Sequence, residues 1–188
     1  MGQQDDPGLT EYCIRSDLMY DGSFLKVKRD VVRLPNGKEG SREYIVHPGA
    51  VVVIAFVDDD HVIMLRQFRY PVQQVILEFP AGKLDPNEAP LACAKRELLE
   101  ETGYTAGCWQ AAGKMHLAVG YADEVIHIFV ARQLTAGDAQ LDEDEFVKVE
   151  SMSVHSLLEA CRKGELTDAK SLSCMLWLQN LHSGKWTI

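Results

Sequence analysis

The stretch from Gly82 to Tyr104, GKLDPNEAPLACAKRELLEETGY, limits what this chain can become more than any other. Glycines bracket it at Gly82 and Gly103, and between them a helical segment carries Glu97, Glu100 and Glu101. Residues three and four apart share a helix face, so the spacing predicts that the three carboxylates point the same way. Such a cluster repels itself unless a cation neutralises it, and crowded oxygen donors suit a hard ion such as Mg2+. The helix is expected to start at Asn87 as N-cap, with Glu88 in its first turn and Pro90 early enough to be tolerated. Gly103 should stop it after Thr102. Leu91, Ala94 and Leu98 lie at i, i+3 and i+7, which predicts an apolar face opposite the carboxylates.

The rest of the chain reads as strands around that helix. Thr10 to Tyr20 and Ser23 to Leu34 alternate apolar with polar residues, Pro35-Asn36-Gly37-Lys38 supplies turn chemistry, and Arg42 to His47 follows as a strand. A small antiparallel sheet over the first forty-odd residues is the expectation. AVVVIAF (Ala50 to Phe56) predicts a buried strand, HVIMLRQFRY (His61 to Tyr70) a second and Gln74 to Phe79 a third. After the helix, Cys108 to Val119 reads as a broken strand, Val125 to Leu134 as a clear one, and the acidic Thr135 to Phe146 as a loop. Val147 to Met152 is a last strand. Two helices close the chain, Val154 to Lys163 and Asp168 to His182, the second capped by Thr167 and packing through Leu172, Met175, Leu176, Leu178 and Leu181. Strands on both sides of one central helix, with helices last, predict a mixed α/β/α sandwich.

Composition narrows the function. With 28 acidic against 19 basic residues and a net charge of −9, the composition argues against a general surface for nucleic acid or anionic membranes. Five scattered cysteines without C-x-x-C spacing argue against a disulfide framework or a zinc site and for a reducing cytoplasm. The amino terminus lacks an apolar stretch of signal-peptide type, and no run approaches membrane-spanning length.

The central stretch resembles the Nudix box, G-x5-E-x7-R-E-U-x-E-E-x-G-U with U apolar or aromatic. Gly82, Glu88, Arg96, Glu97, Leu98, Glu100, Glu101, Gly103 and Tyr104 fill its fixed positions. REYIVHPGAVVVI, LRQFRYPV, EFPAG, GYADEVIHIFVA and LDEDEFVKVE look like the matching segments of ADP-ribose pyrophosphatases and related nucleoside-diphosphate-sugar hydrolases. The resemblance implies residues 1–46 as an amino-terminal sheet exchanged between the subunits of a homodimer, and 47–188 as a Nudix hydrolase domain. It implies Mg2+- or Mn2+-dependent cleavage of ADP-ribose into AMP and ribose 5-phosphate, with GDP-mannose or another nucleotide sugar as an alternative. A regulatory module that binds a nucleotide without cleaving it is the reading from another class.

Residue roles follow from the same resemblance. Glu97, Glu101 and the Ala81 carbonyl would hold metal, with Arg96 and Glu88 behind them, and Glu100 would ligate directly or through water. Glu143, in the acidic run 142–145, stands at the catalytic-base position and Glu145 at a further metal position. Glu124 competes with Glu143 as the base or else faces the substrate. Arg69 is the candidate grip on the diphosphate, and Arg42 would reach it from the exchanged sheet. Val119 stands where ADP-ribose pyrophosphatases usually carry a proline, which would fix the loop that shapes the far end of the substrate pocket.

Overall fold

The structure, a computed structural model, describes residues 6–139, 141 and 146–187. The chain divides into two compact units, residues 1–47 with 118–124, and residues 48–117 with 125–188. In the first, β1 (Tyr12–Asp21), β2 (Lys26–Arg33) and β3 (Glu39–Val46) form an antiparallel sheet in that order. The segment 118–124 joins it beside β3: Ile45 N–H donates to the Tyr121 carbonyl (2.9 Å) and Asp123 N–H to the Ile45 carbonyl (3.2 Å). Tyr12, Ile14, Leu18 and Tyr20 of β1 are exposed in the single chain.

The second unit holds two sheets and three helices. β10 (Val147–Ser153), β5 (His61–Arg69) and β6 (Gln74–Glu78) make an antiparallel sheet in the order β10-β5-β6. β7 (Ala81–Lys83), β4 (Ala50–Ala55), β9 (Val125–Ala136) and β8 (Tyr104–His116) make a mixed one, β7-β4-β9-β8, in which β4 and β9 run parallel. The helices are α1 (Pro90–Thr102), α2 (Val154–Lys163) and α3 (Ala169–His182). Every residue of β4 is buried, because both its faces are covered. Val51, Val53 and Ala55 pack with Cys93, Ala94 and Leu98 of α1. Val52 and Ile54 pack with Met64, Phe79, Leu157, Met175 and Leu178 on the other side. The α/β/α sandwich with a mixed sheet and a small amino-terminal antiparallel sheet is therefore the fold.

Local departures from expectation have local causes. α1 begins at Pro90, with Ala89 and not Asn87 in the N-cap position. Proline at the first helical position presets the start, while Asn87 takes a left-handed φ of 66° in the turn before it. β8 is one long strand with a bulge between Ala111 and Gly113, because β9 offers a partner along its whole length. Asp168, not Thr167, caps α3 by accepting from Ser171 N–H at 2.9 Å. On α3, Cys174, Met175 and Leu178 turn inward, whereas Leu172 and Leu176 are exposed.

Candidate active site

The site begins where α1 crosses β7. Glu101 is 3% exposed and lies on the same side of α1 as Ala94 and Leu98, not on an open face opposite them. Its Oε2 accepts the Ala81 N–H at 3.0 Å. One turn earlier, the Glu97 carboxylate lies against Gly82 so closely that a Cβ there would stand 1.8 Å from its Cδ. Gly82 is thus a glycine of close approach, which gives its place in the sequence a physical reason. Leu91, expected in the apolar face, is exposed. Beneath the turn, Cys93 Sγ donates to the Lys83 carbonyl at 3.3 Å, and burial pushes its thiol up to about 12.

Arg96 gathers the remaining carboxylates. Nε and Nη2 donate to Glu88 at 3.0 and 2.9 Å, and Nη1 donates to Glu97 Oε1 and Glu100 Oε2, each at 2.9 Å. Nη2 also reaches the Lys83 carbonyl at 3.1 Å. These charge-assisted bonds fix the glutamate rotamers from behind. The Arg96 hydrogen bond holds the Glu88 carboxyl down to about 2. Glu88 and then the other glutamates hold the guanidinium charged. Glu97 thus meets both Gly82 and Arg96, Glu100 pairs with Arg96 at i, i+4, and Glu101 accepts from the Ala81 N–H of β7.

Other expected site residues are spread over both units. Arg69, at the end of β5, donates from Nε and Nη2 to the buried Glu78 at 2.8 and 2.9 Å. Burial works against its charge, but the Glu78 hydrogen bond and charge outweigh that and raise its pKa. In the first unit, Arg42 bonds to Glu11 and to the Ser41 carbonyl, and Glu124 lies 3.6 Å from His47 Nε2. His47 also donates its backbone N–H to Asp123 at 2.7 Å. Glu143 and Glu145 lie outside the described residues. Glu78 was not anticipated, although one carboxylate in the apolar run VILEF is the signal that marks it.

The donor set suits a hard divalent cation. Glu97, Glu101 and the Ala81 carbonyl could supply oxygen donors only, and Gly82 leaves the space in which the Glu97 carboxylate lies. Among the described residues no three His, Cys, Asp or Glu side chains converge as a ready-made cation site. None of the described helices is long and apolar enough to cross a membrane.

Comparison with known proteins gives the family. The model of the NUDIX domain matches residues 46–173, most of the chain and all of the box. The chain belongs to the Nudix family. With that membership goes pyrophosphohydrolase chemistry supported by a divalent metal. The model of the nucleoside diphosphate sugar hydrolase N-terminal domain matches residues 13–45 of this Nudix chain. An ADP-ribose pyrophosphatase of Bacillus subtilis is 40% identical over 91% of this chain and 94% of its own. A methanol dehydrogenase activator of Bacillus methanolicus is 37% identical over 90% and 92% of the two chains. A GDP-mannose pyrophosphatase of Salmonella typhimurium is 30% identical over 71% and 74%. A solved structure described as an ADP compounds hydrolase shares the fold with a TM-score of 0.84, at 22% identity over 96% of this chain and 98% of its own.

Proposed function

We propose that this Nudix protein hydrolyses the pyrophosphate bond of ADP-ribose, giving AMP and ribose 5-phosphate, with Mg2+ as its metal. The observation that carries the reading is the pair Glu97 and Glu101 seated against Ala81 and Gly82, with Arg96 bracing Glu97. Near-full-length similarity to an ADP-ribose pyrophosphatase supports the substrate.

A pyrophosphate link resists attack because its oxygens repel a nucleophile. The metal, when bound, neutralises that charge and lowers the pKa of bound water. Glu97, Glu101 and the Ala81 carbonyl would hold it, with Glu100 completing the set directly or through water and Glu145 adding a ligand from the acidic segment. Arg96 and Glu88 keep the box carboxylates oriented. Glu143 takes a proton from the attacking water, whose oxygen bonds to one phosphorus while that phosphorus loses the bridging oxygen to the other phosphate. Glu124 is the competing base, and otherwise faces the substrate. Arg69 grips the diphosphate, since a guanidinium matches phosphate oxygens bidentately. Arg42 reaches it from the amino-terminal sheet, with residues 1–46 exchanged between the subunits of a cytoplasmic homodimer and 47–188 carrying the chemistry.

GDP-mannose is the second reading. Val119 in place of the expected proline and the similarity to a GDP-mannose pyrophosphatase both favour it. The test is a panel of ADP-ribose, GDP-mannose and other nucleotide sugars, incubated with the purified protein and Mg2+ and assayed for the released nucleoside monophosphate. AMP from ADP-ribose at the highest kcat/KM, abolished by a chelator, is the expected result. A higher kcat/KM on GDP-mannose selects the second reading. Tight binding without turnover on every member of the panel overturns hydrolysis in favour of a regulatory binder.

A further inference from the structure

Glu78 is a carboxylate in a place built for apolar side chains. It ends β6, is 2% exposed, and follows Leu77 and precedes Phe79, both of the core. A buried carboxylate is costly unless it is paired and hydrogen-bonded, and here two cations answer it. Arg69 donates to both its oxygens at 2.8 and 2.9 Å. Lys170, nearly as buried, donates to Oε2 and lies 3.1 Å from Asp168. Asp168 caps α3, and Ser171 Oγ accepts the Phe79 N–H at 2.9 Å. The first turn of α3 is thereby clamped to the end of β6, from which the chain runs directly into Ala81 and its contact with Glu101.

The members of this network differ in exposure, and that difference points to a role. The tie that holds α3 on the sheet runs through Glu78 Oε2 to Lys170 and Asp168. Arg69 supplies the donor to Oε1, and its side chain is 43% exposed while that of Glu78 is 3% exposed, so the pair reaches from the interior to the surface. The two Glu78 oxygens engage Nε and Nη2, which fixes the plane of the guanidinium and leaves Nη1 outside this pair. The Glu101 charge acts on the same guanidinium, so Arg69 stands in the field of the box carboxylates. An arginine ordered before its ligand arrives loses less freedom on binding.

We infer that Glu78 is a positioning residue: braced by Lys170 and the first turn of α3, it holds the Arg69 guanidinium ready for a phosphate of the nucleoside-diphosphate substrate. The inference rests on the proposed hydrolysis of a nucleotide sugar and adds a residue that acts through Arg69. Glu78→Gln keeps the shape, removes the charge and sets an amide between two cations. With Mg2+ and ADP-ribose, it should raise KM about 10-fold or more, since a hydrogen bond to a charged group is worth that much, with kcat changed by less than about 3-fold. Arg69→Ala should do the same, and the double variant should be no worse than Arg69→Ala alone, as expected of residues acting as one unit.

A wild-type KM in Glu78→Gln, or fully additive effects in the double variant, overturns the role. Glu78→Asp keeps the buried charge and draws the fork back by one methylene, so it covers the case in which Glu78→Gln does not fold. Its KM should lie above that of the wild type, and an unchanged KM in folded Glu78→Asp counts equally against the role. ADP-ribose titrated calorimetrically into each protein in chelator separates the two ideas. A wild-type protein that binds but cleaves nothing on adding Mg2+ sinks the hydrolysis, while weaker binding by Glu78→Gln and Arg69→Ala still supports the positioning.

Discussion

At Gly82 the backbone passes so close to Glu97 that even a methyl group has no place. Gly82→Ala should displace that carboxylate while leaving the core intact, and a displacement on the order of 1 Å costs about 100-fold in rate. Steady-state assay beside a thermal melt checks it, with kcat/KM expected to collapse and the melting temperature to stay near that of the wild type. Glu101→Gln keeps the size of a side chain that accepts the Ala81 N–H. As a proposed metal ligand, it should lose about 100-fold or more in turnover and bind Mg2+ more weakly by calorimetry. Glu88 gives a pH signature. Its carboxyl falls from an ordinary 4.5 to about 2 because Arg96 donates to it. A lowered carboxylate value contributes stability that is fully present above about 4.5 and is lost as pH falls toward about 2. Melting temperature should decline through that window, and Glu88→Gln should flatten the part of the decline that Glu88 causes.

At the scale of elements, α1 is held from one side. Ala94 and Leu98 bury themselves against Val51, Val53 and Ala55 of β4, and Gly103 ends the helix in a left-handed turn with φ of 74°. The chemistry sits at the edge of this apolar contact, because Glu101 follows Leu98 by one turn on the same side. Leu98→Ala removes a fully buried side chain and should cost about 2–5 kcal/mol, read as a lower urea midpoint. Activity should fall with it even under folding conditions, since Glu97 and Glu101 depend on where the helix lies. α3 plays the corresponding part for β6 through Asp168, Lys170 and Ser171. Its exposed Leu172 and Leu176 show that only part of its apolar surface faces the core.

For the whole molecule, β1 leaves Tyr12, Ile14, Leu18 and Tyr20 exposed in the single chain. Large apolar side chains grouped on one strand mark an interaction surface, and a homodimer that exchanges the amino-terminal sheet would cover them. Light scattering at micromolar concentration should give twice the 21.0 kDa chain mass. A mass of one chain removes the dimer, together with the proposed reach of Arg42 into a neighbouring site.

The strands and helices could be read from the chain because hydrophobic period and turn chemistry are local. β4 announced itself as a continuous apolar run, and the order of elements after it implied the sandwich. The box glutamates were legible as residue types at helical spacing. So was the i, i+4 pair of Arg96 with Glu100, but contacts beyond the helix were not, since a helix fixes which side chains share a face but not what packs on it. Only the packed structure put Glu101 on β7 and Glu97 beside Gly82. Pro90 likewise set the helix start against the local cue of Asn87. Glu78 and Lys170 lie 92 residues apart and meet because α3 closes over β6, a contact no sequence period encodes. The sequence by itself determined the family, the chemistry and the elements, through local patterns and a dense motif. The tertiary structure decided which charges pair, because pairing in a folded chain depends on burial and on segments brought together from far apart.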